Sequence, residues 1–202
     1  MKIVKAKAEI MFPVDGREIL KRIERIGRVC YKSEDKITED SAETFVKSLI
    51  KRGHESVLEH CSFTARFVCD RGVSHEIVRH RLASYSQEST RYCNYSKGKF
   101  GKEITVVKPN HDIAYDQWEE ACCEAEYQYG RLLAEGCTPE QARAVLPNSL
   151  KTELIMTANL REWRHFFKLR NAPAAHPQMR EVAGMLLAEA KEKIPVIFED
   201  IG

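Results

Sequence analysis

The stretch RHRLASYSQESTRY, Arg79 to Tyr92, places three arginines, a histidine, four serine or threonine hydroxyls, a glutamine, a glutamate and two tyrosines in fourteen positions. Arginine forks, hydroxyls and loop N–H groups together form a cradle suited to phosphate. Lysine is absent, and hydroxyls stand between the arginines, which separates this stretch from an ordinary solvated loop. Only Leu82 and Ala83 suit an ordinary core. On a regular helix Arg79 and Arg81 would project roughly 200° apart, so one face cannot offer both to one phosphate. Either the helix ends there, or the two arginines serve different ligands or different subunits. His80, flanked by both, has its cationic form disfavoured by like charge, which suits a neutral hydrogen-bonding role.

A second group of reactive residues is GHESVLEH, Gly53 to His60. It fails the zinc-protease helix pattern, because the position four after His54 is Leu58. No third ligand is plausibly spaced near His54, Glu59 and His60, so no metal is expected. A third group comes late: Arg143 in QARAVLPNSL, then Asn159, Arg161, His165 and Arg170 in NLREWRHFFKLR. Asn159 alone reads as a helix cap. The polar residues after it are less easily assigned to packing, because Trp163, Phe166 and Phe167 already supply that helix's core face.

The elements that carry these groups follow from periodicity. Val4, Ala6, Ala8 and Ile10 alternate with polar residues and predict a strand, as do Cys61 to Cys69 and Leu150 to Ala158. A short strand is expected over Ile104 to Val107. Helices are expected around Ile19 to Ile26, around Phe45 to Ile50 with Gly53 ending it, and from Ser74, as cap, to about Ala83. The rest of the opening stretch is then an irregular loop. His111 to Glu135, with Ile113 on its inner face and Gly136 as its stop, reads as the longest helix. Thr138-Pro139-Glu140-Gln141 is a capping signature, and helices follow from Leu160 to Leu169 and from Gln178 to Lys193. Few strands in no regular βαβ order predict an α+β fold, one domain over residues 1–202, with an antiparallel sheet packed with helices.

The charge is nearly balanced, 32 basic against 30 acidic side chains for a net +2. Tyr85, Tyr92 and Tyr95 among the arginines could stack bases. The balanced charge counts against a stable nucleic-acid partner and leaves a small anion as the better ligand. Seven cysteines without a C-x-x-C pair read as reduced thiols, and the amino-terminal residues lack a long apolar run. Together these predict a cytoplasmic protein with no membrane span.

Arg79-His80-Arg81, then LASYSQE, then Ser89, resembles the signature of the flavin-dependent thymidylate synthases. GHESVLEH, ARAVLP and TANLREWRHFFKLR are similar to further family blocks, in matching order from roughly Cys30 to Lys193. The resemblance implies a homotetramer with active sites between subunits, each holding FAD. It implies conversion of dUMP to dTMP, with methylenetetrahydrofolate as carbon donor and NADPH as reductant. Ser56, Arg79, His80, Arg81, Gln87, Asn159, Arg161 and His165 match FAD-contacting positions, with His54 and Glu59 nearby. Glu76, Arg79, Gln87, Glu88, Ser89, Thr90, Arg91, Arg143 and Arg170 match the dUMP site, with Arg170 closest to a catalytic role. Family members often carry glutamine at position 76, and some have asparagine in place of His165. A flavoprotein that keeps the ligand and lacks synthase activity is the alternative within the same resemblance.

Overall fold

The computed structural model describes residues 1–98 and 101–202. The chain groups into two compact units: Met1–Lys7, Phe67–Arg79 and Ser86–Leu154 form the first, and Ala8–Arg66, His80–Tyr85 and Ile155–Gly202 the second. Helix and sheet are mixed, with an antiparallel sheet packed with helices, as the sequence pattern predicts.

In the first unit, β1 (Lys2–Val4) pairs in parallel with β5 (Thr105–Val107), Ile3 opposite Val106. Their core gathers Tyr95, Ile104, Val106, Cys122, Tyr129, Ala142 and Leu150. Cys122 and Tyr129 come from α4 (Tyr115–Ala134), which ends ahead of Gly136 at φ 95°. That left-handed conformation is cheap only for glycine. Ile113 is not part of this helix: it precedes the first turn and is 83% exposed. At α5 (Pro139–Ala142) the expected cap is present, with Gln141 Oε1 accepting from the Thr138 N–H at 2.9 Å.

In the second unit, α1 (Gly16–Tyr31) and α2 (Ser41–Lys51) bury Leu20, Ile23, Val46 and Leu49 on the faces their spacing predicts. Gly53, at φ 72°, lies just beyond the end of α2. The core is aromatic. On α6 (Leu160–Arg170), Trp163 stacks on Phe63 at 4.5 Å between ring centroids and donates to the Phe63 carbonyl at 3.2 Å. Phe166 meets Trp163 edge-on, Phe167 stacks on it at 5.8 Å, and Phe198 meets Phe167 edge-on. Helices α7 (Pro177–Lys193) and α8 (Pro195–Phe198) complete this unit.

The larger sheet runs in the order β2 (Lys7–Ile10), β3 (Ser62–Asp70), β6 (Lys151–Asn159), β4 (Ala83–Gln87). Three expectations are corrected here. The single strand read over Val4 to Ile10 is two strands, because β1 joins β5 while β2 joins β3. Helix α3 spans Arg71–Ile77, shorter than expected, and its cap is Asp70, whose Oδ1 accepts from the Val73 N–H at 2.7 Å. Ser74 lies inside it and donates to the Arg71 carbonyl. The segment after it forms β4 where an irregular loop was expected.

Candidate active site

Because α3 ends at Ile77, Arg79 and Arg81 are not helical, and the first of the two alternatives holds. Both are exposed while His80 between them is 4% exposed. The motif therefore turns its histidine inward and its guanidiniums outward. Leu82, one of the two residues of the stretch suited to a core, is 74% exposed.

In the second unit His80 sits between two side chains of α6. Glu162 Oε1 lies 2.8 Å from its Nδ1, and Arg170 Nε donates to its Nε2 at 3.1 Å. A guanidinium cannot accept a hydrogen bond, so Nε2 carries the lone pair and Nδ1 the proton. Burial first, then the Arg170 charge, holds the His80 pKa below the ordinary histidine value against the opposing bond to Glu162. The neutral state expected from the motif is thus built by the fold. His165 and Phe166 flank the ring at 5.4 and 4.9 Å, and the Tyr85 hydroxyl donates to the His80 carbonyl at 2.6 Å. His80, Glu162 and His165 also sit close enough to suggest a metal cluster. Both nitrogens of His80 are already engaged, by Glu162 and Arg170, and His165 meets it as a ring neighbour.

Asn159 caps α6, its Oδ1 accepting from the Glu162 N–H at 2.8 Å. It shares a cleft of about 540 Å³ with Glu59, Leu82, Arg161, His165 and Lys168. Arg161 also lines an adjoining cavity of about 340 Å³ with Tyr31, His54 and Ser56. Arg161 pairs with Glu59 at 2.6 Å, and both are about half exposed. Such a pair contributes little to stability and can be exchanged for a ligand anion. Cationic donors around an exposed leucine suit a ligand with both a phosphate and a flat apolar part. These residues therefore fit a flavin nucleotide.

The first unit holds the rest of the motif. Gln87 Nε2 donates to Ser74 Oγ at 2.9 Å and to Thr152 Oγ1 at 3.2 Å. Glu88 turns the other way, accepting from Tyr95 at 3.0 Å and Lys151 at 2.8 Å. Consecutive extended residues face opposite sides, so these two side chains do not converge on one ligand. After them Ser89 Oγ accepts from the Arg91 N–H at 3.2 Å. Arg143 donates to the buried Thr90 hydroxyl at 3.2 Å, and Arg91 pairs with Glu140 at 2.7 Å. Arg143 and the Thr90 hydroxyl are donors suited to a phosphate, while the Arg91 guanidinium is held by the Glu140 carboxylate, a pair that a ligand anion would have to open. Glu76 lies on α3, where its carbonyl accepts from the Arg79 N–H at 3.3 Å.

Sequence reasoning missed Glu162. Its only trace is the spacing from Asn159 to a glutamate three residues on, which reads as a capping box. Nothing local predicts a partner 82 positions away.

Residues 16–196 match the family model described as thymidylate synthase complementing protein. The flavin-dependent thymidylate synthase of Pyrococcus abyssi is 35% identical over 165 residues, 80% of this chain and 67% of that one. That of Geobacter sulfurreducens is 36% identical over 186 residues, 87% of this chain and 78% of the relative. Among solved structures, the UMP/dUMP methylase PolB from Streptomyces cacaoi, bound with 5-Br dUMP, superposes with a TM-score of 0.79. At 24% identity over 98% of this chain and 96% of that one, this likeness carries the fold. With most of its length matched by the family model and by these relatives, the chain belongs to the flavin-dependent thymidylate synthases, a family of methyl-transferring enzymes.

Proposed function

We propose that this protein converts dUMP to dTMP, with FAD as its flavin, methylenetetrahydrofolate as carbon donor and NADPH as reductant. The observation that carries the reading is the R-H-R motif with its histidine fixed neutral between Glu162 and Arg170, in a chain of this family. PolB is a UMP/dUMP methylase, which supports a pyrimidine monophosphate as substrate.

In this reading Ser56, His80, Arg81, Asn159, Arg161 and His165 hold the flavin, joined by Arg79 and Gln87. When bound, the flavin supplies the reducing equivalents. Ser89, Thr90, Arg91 and Arg143 hold the phosphate of dUMP, and Glu76, Arg79, Gln87 and Glu88 complete that site. The carboxylate of Glu88 accepts from Lys151 and Tyr95 and its N–H donates to the Glu153 carbonyl at 2.8 Å, so a contact with dUMP requires exchanging one of these bonds. Arg170 faces the uracil edge, where a fixed positive charge stabilises negative charge on the ring and makes C5 more nucleophilic. Its Nε bond to His80 sets the plane in which that charge is presented.

The whole chain, residues 1–202, works as one synthase domain in a cytoplasmic homotetramer. Among the described residues no helix is long and apolar enough to cross a membrane. Release of tritium from the 5-position of dUMP, with UMP run beside it, tests the reading. Release from dUMP that needs flavin, folate and NADPH is expected. Release from UMP alone would reassign the substrate, and release from neither would overturn the reading.

A further inference from the structure

We propose that Glu162 is a positioning residue for the pyrimidine site, acting through His80 to fix the guanidinium of Arg170. The inference rests on the reading of Arg170 as a dUMP contact. Its basis is the bond polarity along the chain Glu162–His80–Arg170. Arg170 Nε can only donate, so the His80 nitrogen it meets at 3.1 Å must be bare. The ring proton is then on Nδ1, where a buried N–H needs an acceptor. Glu162 Oε1 stands there at 2.8 Å, and a carboxylate oxygen can only accept. A glutamine at this place could accept or donate, and would tolerate the opposite tautomer, in which an Nε2–H collides with the arginine N–H. The carboxylate removes that alternative.

The three groups are also held mechanically. Asn159 Oδ1 binds the Glu162 N–H, and Trp163, Phe166 and Phe167 on the same helix are fully buried. Arg170 leaves the last turn, and side chains of a helix lean toward its N-terminus, which carries this one back toward His80. His80 itself is clamped by the Tyr85 hydroxyl on its carbonyl. An arginine side chain has many rotamers, and freezing it ahead of substrate lowers the ordering cost of binding. Glu162 also lines the cleft assigned to the flavin, so flavin content is measured for each variant beside its kinetics on dUMP.

The test uses the flavin-loaded enzyme and two variants. In the wild type, the nitrogen shifts of His80 should show Nδ1 protonated and Nε2 bare. Glu162→Gln should fold and hold flavin as the wild type does, with a mixed tautomer signature. Its kcat/KM for dUMP should fall roughly tenfold, and that of Glu162→Ala about 10- to 100-fold, as for a lost hydrogen bond to a charged group. The effect should disappear in an Arg170→Lys background, because the relay then has nothing to place. A protonated Nε2 in the wild type would overturn the proposal. So would a Glu162→Gln variant with unchanged kcat/KM, or a loss that persists undiminished beside Arg170→Lys. Wild-type protein inactive on dUMP would instead overturn the proposed reaction, while the His80 shifts still decide the relay.

Discussion

Arg170 is the residue on which a purely structural role and a chemical one differ most. A helix-terminal arginine that only satisfies carbonyls and the helix dipole contributes about 0.3–1 kcal/mol and is largely indifferent to lysine. A fork that keeps one nitrogen on His80 while facing a ligand is not, since an ammonium offers a point charge. Arg170→Lys should therefore fold and keep its flavin, yet lose about a hundredfold to a thousandfold in thymidylate formation at saturating dUMP. Near wild-type turnover would return this arginine to the helix end. Ser89 makes the opposite case. A serine hydroxyl needs a nearby base to act as nucleophile, and its recorded partner is the Arg91 N–H. Ser89→Ala should weaken turnover without abolishing it, and mass spectrometry should find no covalent Ser89–pyrimidine adduct in the wild type. A neutral, hydrogen-bonding His80 was legible from its two charged neighbours, while its inward turn was not. Its partner Glu162 was not, because a contact between distant segments leaves no local periodicity.

At the scale of elements, α6 carries much of the second unit's polar chemistry, and one of its buried side chains anchors it. Arg164 is 1% exposed and forms a two-pronged pair with Asp200, both contacts at 2.7 Å, with Glu55 on its Nε at 3.1 Å. The bond to Arg164 holds the Asp200 pKa below the usual carboxylate value. Asp200→Asn should cost about 1–2 kcal/mol in urea unfolding, toward the low end for a charged hydrogen bond because Asp200 is about half exposed. A depressed folded-state pKa means that this stability is complete above the unfolded aspartate value. It is lost as pH falls through the lower folded value. The variant's deficit relative to wild type should therefore shrink at low pH, and a deficit constant down to pH 2 would contradict the assignment. Long apolar alternations made β3, β6, α1 and α6 readable. Strand β4 was not, because Ser84 and Ser86 alternate with the half-buried Ala83, Tyr85 and Gln87, and an edge strand needs few apolar residues. The cap of α3 was misplaced because Asp70 and Ser74 both suit the role, and only the backbone path decides between them.

For the whole molecule, the mixed α+β class and the family were legible, while the division into two compact units was not. No linker or shift in composition marks it, since β3, β4 and β6 each contribute residues to both units. The proposed assembly has a direct check. Flavin should sediment with a tetramer, and a fully flavin-loaded monomer would contradict the shared active sites. The balanced charge, net +2, remains suited to a small anionic substrate. In the proposed reaction this chain moves a one-carbon unit from folate to C5 of dUMP. Its most direct measurement supplies purified protein with FAD, NADPH, dUMP and methylenetetrahydrofolate labelled with 13C at the methylene carbon, and analyses the nucleotide by mass. Thymidylate carrying the label is expected, and none when any one component is omitted. Flavin-loaded protein that leaves dUMP unmethylated under these conditions would contradict it.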